Sequence, residues 1–163
     1  MRGKTGGAKN DGNAAKCLYK KRRLPYNIDM EIFISYGEAA TEAFAERYAK
    51  TLKNGEVILL EGELGAGKTA FTRGLARGLG IGDEVVSPTY AYLNVYGDRL
   101  YHYDCYRLSS GEDALALGLA DYFGGDNICV IEWFENIADV LPAGCKKIKI
   151  TKLGENEREI AAE

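Results

Sequence analysis

Histidine is nearly absent from this chain: His102 stands alone among 163 residues. The four cysteines, Cys17, Cys105, Cys129 and Cys145, are far apart, and none forms a C-x-x-C pair. Zinc sites need clustered thiolates and imidazoles, so a metal–thiolate centre is not expected. The thiols read as reduced and mostly buried. No apolar run approaches the roughly 20 residues of a membrane-spanning helix. The N-terminus also lacks the apolar stretch of a secretory signal. The expectation is a cytoplasmic protein with no membrane partner. An N/T-K-x-D segment, the usual reader of guanine, is missing too, which counts against a GTPase. "DYFG" at 121–124 fits D-x-x-G, but it follows a helical stretch rather than a strand end and reads as coincidence.

The composition is ordinary for a globular domain, with 46% hydrophobic and 28% charged residues. The net charge of −3 is uneven, however. Residues 1–29 hold eight Lys or Arg against Asp11 and Asp29, a local charge of +6, which leaves −9 on the remainder. So acidic a body repels phosphate backbones. Direct, strong RNA binding by the main domain is therefore not expected, and protein partners are. Residues 1–29 show no period and read as a basic, disordered extension. The run "KKRR" at 20–23 is a solvated tail on this reading, or a contact for nucleic acid or membrane. Met30, just before the first patterned segment, is a candidate natural start, and residues 30–163 read as one domain.

From there the pattern is regular. "EIFIS" reads as a strand, and Ser35 with Glu38 matches a capping box that opens a helix. Phe44, Tyr48 and Leu52 fall on one face of that helix, and "KNG" at 53–55 ends it. "EVILLEG" is a continuous apolar run, as in a strand buried on both sides. A helix follows to about Gly80. Two β-rich runs joined at Gly97-Asp98 predict a hairpin. Residues 111–123 read as helical. "NICVIEW", "KKIKITKL" and "REIAA" supply further strands. The fold class is α/β: a P-loop NTPase-like three-layer fold with a mostly parallel central sheet and a hairpin insertion.

Between the apolar strand and the helix stands Gly62-Glu63-Leu64-Gly65-Ala66-Gly67-Lys68-Thr69, a full G-x-x-x-x-G-K-[ST] match followed by Ala70. Such glycines let backbone N–H groups turn inward around phosphate oxygens, and the helix N-terminus adds partial positive charge. Lys68 can reach the outer phosphates, and the Thr69 hydroxyl can meet Mg2+. "ICVIE" brings Glu132 to a strand end, where an acid holds Mg2+ or orients water. In "HYDCYR", His102, Asp104 and Tyr106 share one strand face. Asp104 can join the Mg2+ shell or position water. His102 is a candidate base or the maker of a structural hydrogen bond. Arg107 can stabilise transferred phosphate charge or pair with a local acid. In "SPTY", the Thr89 hydroxyl is placed to sense a γ-phosphate, as in a switch loop.

Taken together, "GELGAGKT", "SPTY", "HYDCYRL", "GLADYF" and "VIEW" resemble, in this order, the bacterial TsaE (YjeE) family over nearly all of residues 31–142. The resemblance implies a small ATPase with weak intrinsic turnover and ATP and Mg2+ as cofactors. It would be required for threonylcarbamoyladenosine modification of tRNA. The implied partners are TsaD-like and TsaB-like proteins, whose complex ATP hydrolysis would reset. It also implies that Lys68 and Thr69 serve phosphates and Mg2+, that Glu132 serves Mg2+, that Asp104 supports hydrolysis and that Thr41 lies near the adenine. Trp133 reads as packing or partner surface. A small-molecule kinase and a non-hydrolysing ATP-binding module are the rival readings. The first looks short of space for an acceptor pocket.

Overall fold

In a computed structural model the described residues are 19–23, 29–88 and 90–163. They form eight strands: β1 (Tyr19–Arg23), β2 (Asp29–Tyr36), β3 (Val57–Glu61), β4 (Leu93–Tyr96), β5 (Leu100–Asp104), β6 (Ile128–Glu132), β7 (Lys146–Lys152) and β8 (Glu157–Ala162). Three α-helices accompany them: α1 (Glu38–Ala49), α2 (Lys68–Gly78) and α3 (Gly111–Ala116). Two 3₁₀ segments, Leu119–Tyr122 and Phe134–Val140, complete the set.

All eight strands join one sheet in the order β1-β2-β8-β7-β3-β6-β5-β4. Its centre is parallel, as expected: β3 pairs in parallel with β6 and β7, and β5 with β6. Both margins are antiparallel, through the β4–β5 hairpin on one side and β1, β2, β8 and β7 on the other. The central strands read as unbroken apolar runs because both of their faces are covered. Ile58, Leu60, Ile128 and Val130 pack with Phe44, Phe71 and Leu75 under α1 and α2. Val57, Cys129 and Ile131 pack on the other face with Ala114, Leu119 and Ile137 from α3 and the 3₁₀ segments. These are the three layers.

The two helices of the thicker layer touch very closely. A Cβ on Gly74 would lie 2.3 Å from the Glu42 carbonyl oxygen, and one on Gly78 2.4 Å from that of Glu46. Only glycine permits this backbone-to-helix approach. Charges close the seam outside it. Arg73 bonds Glu38 and, at 2.6 Å, Glu42, while Arg77 reaches Glu42 at 2.8 Å.

Four expectations are corrected. Tyr19–Arg23, expected to be disordered with the rest of 1–29, form β1 on β2; residues 1–18 and 24–28, Cys17 among them, lie outside the described residues. Ser35 does not cap α1. Gly37 takes that position, and the Ser35 hydroxyl donates to the Gly37 carbonyl (2.9 Å) and shares a 2.7 Å bond with Thr41 Oγ1. The segment 111–123 is not one helix, because Gly118, with a left-handed φ of 68°, ends α3. Helix α2 stops at Gly78, slightly short of Gly80. The hairpin forms as expected. Gly97 and Asp98 both take left-handed φ, as a type I′ turn requires, and the Arg99 N–H bonds the Tyr96 carbonyl (3.1 Å).

Cys105 and Cys129 are buried and Cys145 half-buried; all three are free thiols. Burial pushes the Cys105 thiol up to about 12 and that of Cys129 up to about 11. Among the described residues no helix is long and apolar enough to cross a membrane.

Candidate functional site

The C-terminal ends of β3, β5 and β6 converge beside the start of α2. The β3–α2 loop runs through Gly62–Gly67. Gly65 (φ 77°) and Gly67 (φ 110°) take conformations that side chains resist. Nothing lies within 4 Å of where a Gly65 Cβ would point, so the loop's outer surface is open. The first N–H groups of α2, from Lys68, Thr69 and Ala70, have no intrahelical carbonyl to bond and carry the helix's partial positive charge. From the far strand, Arg158 Nε donates to the Ala66 carbonyl (3.3 Å) and ties down the loop.

Lys68 is 7% exposed. Its Nζ donates to the carbonyls of Gly62 (2.7 Å) and Glu63 (3.2 Å) and stands 3.6 Å from Glu132 Oε2. Glu132 is 6% exposed at the end of β6, where it pairs in register with Leu60 of β3 and Asp104 of β5. Its other oxygen, Oε1, lies 2.9 Å from Nε2 of His102. Because strands alternate faces, His102, Asp104 and Glu132 all share the α2 side of the sheet.

A cavity of about 250 Å³ gathers the expected residues Leu64, Gly65, Gly67, Lys68, Thr69, Ala70 and Glu132. That is small for a whole ligand pocket and suits the phosphate end of a nucleotide. Its remaining walls are Glu38, Arg73 and Ser87, which sequence reasoning missed. Ser87 begins "SPTY"; Thr89, the residue of that motif expected to sense the γ-phosphate, lies outside the described residues. Glu38 and Arg73 gave no local signal, since only helix packing brings them together.

Among the described residues no three or more carboxylates, imidazoles or thiols gather to cage a metal. The Thr69 hydroxyl and the Glu132 carboxylate, both on the wall of this cavity, are the groups that could hold a hard divalent ion with few protein ligands. Phosphate and water oxygens would supply the rest.

Other expected residues fall elsewhere. Asp104 is half-buried beside Glu132, and its Oδ1 accepts from the Tyr106 N–H (3.0 Å). Thr41 is 1% exposed and its hydroxyl is engaged with Ser35 and Gly37; it lines neither this cavity nor the larger one described next, and serves the β2–α1 turn. The Arg107 guanidinium lies over the Tyr92 ring at 4.6 Å. Tyr106 packs on Trp133, ring centroids 4.9 Å apart, and Trp133 holds a left-handed φ of 57° with Lys68 Nζ 5.6 Å from its ring. The "DYFG" stretch lies at the opposite end of β3. There a Gly55 Cβ would meet Gly124 and Gly125, far from any phosphate loop.

A second cavity, of about 640 Å³, opens on the other side of Lys68, between the ends of β3 and β7 and the turn after β6. Glu61, Glu63, Trp133, Asn136, Lys149 and Lys152 are among its walls. Beside it, Lys147 and Lys149 both bond Glu61 at 2.6 Å and hold that carboxyl below the usual range. A chain of this length does therefore have room for a second pocket.

Residues 35–160 match the family model described as threonylcarbamoyl adenosine biosynthesis protein TsaE. The tRNA threonylcarbamoyladenosine biosynthesis protein TsaE of Bacillus subtilis is 45% identical over 123 residues, covering 74% of this chain and 77% of that protein. The protein of the same name from Treponema pallidum is 46% identical over 113 residues, covering 68% and 84% respectively. The crystal structure of YdiB from Bacillus subtilis superposes with a TM-score of 0.70 at 38% identity, over 82% of this chain and 84% of that one. The chain belongs to the TsaE family.

Proposed function

We propose that this protein is an Mg2+-dependent ATPase that serves threonylcarbamoyladenosine modification of tRNA in the cytoplasm. It would act on a complex of TsaD-like and TsaB-like proteins rather than on tRNA directly. The observation that carries the reading is the meeting of Lys68, Thr69 and Glu132 in one small cavity at the N-terminus of α2. Together they offer an ammonium, a hydroxyl and a carboxylate around a cradle of backbone N–H groups. That set matches a triphosphate–metal ligand.

The roles follow from placement. The N–H groups of the loop and of α2 bind phosphate oxygens. Lys68, already oriented by two loop carbonyls, neutralises the outer phosphates. Thr69 and Glu132 would hold the ion, which would supply charge stabilisation to a transferring phosphoryl group. Asp104, next to Glu132 in register, orients water for hydrolysis. The nucleotide shifts the assembly only through unequal affinity for its two states, with a coupling of roughly 1–3 kcal/mol as the usual scale.

The test is affinity for the TsaD–TsaB pair with ATP against ADP loaded, together with phosphate release with and without that pair. Tighter association in one nucleotide state and partner-stimulated release support the reading. Indifference to the nucleotide would contradict it.

A small-molecule kinase is favoured by one observation, the 640 Å³ cavity that shares Lys68 with the phosphate site. Phosphorylation of a metabolite by the purified chain alone would establish it.

A further inference from the structure

We propose that His102 is the positioning residue of this site, holding the Glu132 carboxylate off Lys68 and turned toward the metal position. This rests on the Mg2+–ATP reading above. His102 is fully buried on β5, two residues before Asp104, and pairs in register with Val130 of β6. Its Nε2 therefore meets Glu132 from the side, at 2.9 Å from Oε1.

The two oxygens of Glu132 are thus divided. Oε1 belongs to the imidazole, and Oε2 faces the Lys68 ammonium at 3.6 Å. That second distance is long for a charge-assisted bond, which settles near 2.7–2.9 Å. Among the described residues no other side chain bonds Oε1, so without the imidazole the carboxylate would turn and close on Lys68. Because the carbonyls of Gly62 and Glu63 hold the ammonium in place, a closed pair would draw the carboxylate away from the ion.

The other ring nitrogen supports this assignment. Nδ1 is buried with no hydrogen-bond partner among the described residues. Buried polar atoms are ordinarily satisfied. Among the described residues the Glu132 contact is the ring's one hydrogen bond. A carboxylate accepts, so Nε2 is the donor in this contact. Metal ligands are commonly oriented by such outer partners, whose loss costs about 10–100-fold in metal affinity or activity.

The experiment exploits the single histidine. Long-range proton–nitrogen NMR of the full chain gives one imidazole pattern. The expected pattern is the Nε2–H tautomer, with its signals moving in Glu132→Gln. An Nδ1–H tautomer, or no response to Glu132→Gln, overturns the proposal. In parallel, His102→Leu removes the donor, whereas His102→Gln returns an N–H at similar reach. ATP affinity in EDTA should stay within about twofold of wild type in both variants. The Mg2+ concentration that half-saturates ATP tightening, followed by Trp133 fluorescence, should rise at least about tenfold in His102→Leu and recover in His102→Gln. At saturating Mg2+, kcat should fall with the KM for ATP unchanged. Leu and Gln variants that match wild type, or that lose Mg2+ response equally, overturn the proposal while leaving the ATPase reading intact. A wild-type chain that takes up no ATP overturns both. Should His102→Leu fail to fold, the Gln variant and the NMR pattern decide.

Discussion

Lys68 Nζ and Glu132 Oε2 stand 3.6 Å apart, with 8% of each side chain exposed. One group comes from the first turn of α2 and the other from the end of β6. They meet because Leu60, which leads into the phosphate loop, pairs in register with Glu132. Desolvated charges of this kind are costly to hold. Here the carbonyls of Gly62 and Glu63 and the imidazole of His102 share that cost.

Glu132→Gln keeps the shape and removes the charge. It is expected to lower partner-stimulated phosphate release by roughly 100-fold, the scale of losing one group that organises transition-state charge. ATP affinity without metal should change little. Asp104→Ala should also depress release while the fold survives, because it gives up only the local bond to the Tyr106 N–H. Phosphate release and circular dichroism on the same samples check both variants. Unchanged release in either would remove that residue from the hydrolytic role.

Gly74→Ala tests the helix seam. Alanine ordinarily stabilises a helix interior by roughly 0.5–1 kcal/mol relative to glycine. Here its Cβ would sit 2.3 Å from the Glu42 carbonyl and 2.8 Å from the Ala45 Cβ. Overpacking costs roughly 1–3 kcal/mol or more, and the nearest obstacle is backbone, so the clash should win. Denaturant unfolding should show net destabilisation. A stabilised variant would mean that α1 and α2 can part freely.

Glu42 makes the seam sensitive to acid. Burial raises its carboxyl pKa, but hydrogen bonds and charge from Arg73 and Arg77 outweigh that and hold it below the usual range. A depressed carboxyl contributes stability above its unfolded value, near 4.3, and loses it as pH falls through the lower folded value. Allowing for the partly exposed arginines, the contribution is roughly 1–2 kcal/mol. In Tm measured from about pH 6 down to about pH 3, wild type should exceed Glu42→Gln at the upper end and converge with it at the lower. A constant gap would contradict this.

Much of the site was legible because it is local. Gly62 to Thr69 are contiguous, and the apolar run before Glu132 marks a central strand end. What stayed hidden depends on pairing across the sheet or between helices. The contact of His102 with Glu132 follows from the parallel register of β5 on β6, which no spacing reveals. Glu38 and Arg73 reach the phosphate cavity only through the α1–α2 seam. Ser35 looked like a cap because Glu38 stands three residues on, yet Gly37 makes the turn and Thr41 takes the hydroxyl. Strand β1 was missed because "YKKRR" lacks apolar alternation. Charged residues are what an edge strand carries to discourage further pairing.

The central claim is that Mg2+–ATP sits on the α2 N-terminus under Lys68, Thr69 and Glu132. Isothermal titration of ATP into the full chain tests it most directly, with Mg2+ and with EDTA, for wild type and Lys68→Ala. The account predicts one saturable site, tightened by Mg2+ and abolished in Lys68→Ala. No heat from the wild-type chain, or equal binding by Lys68→Ala, would contradict it.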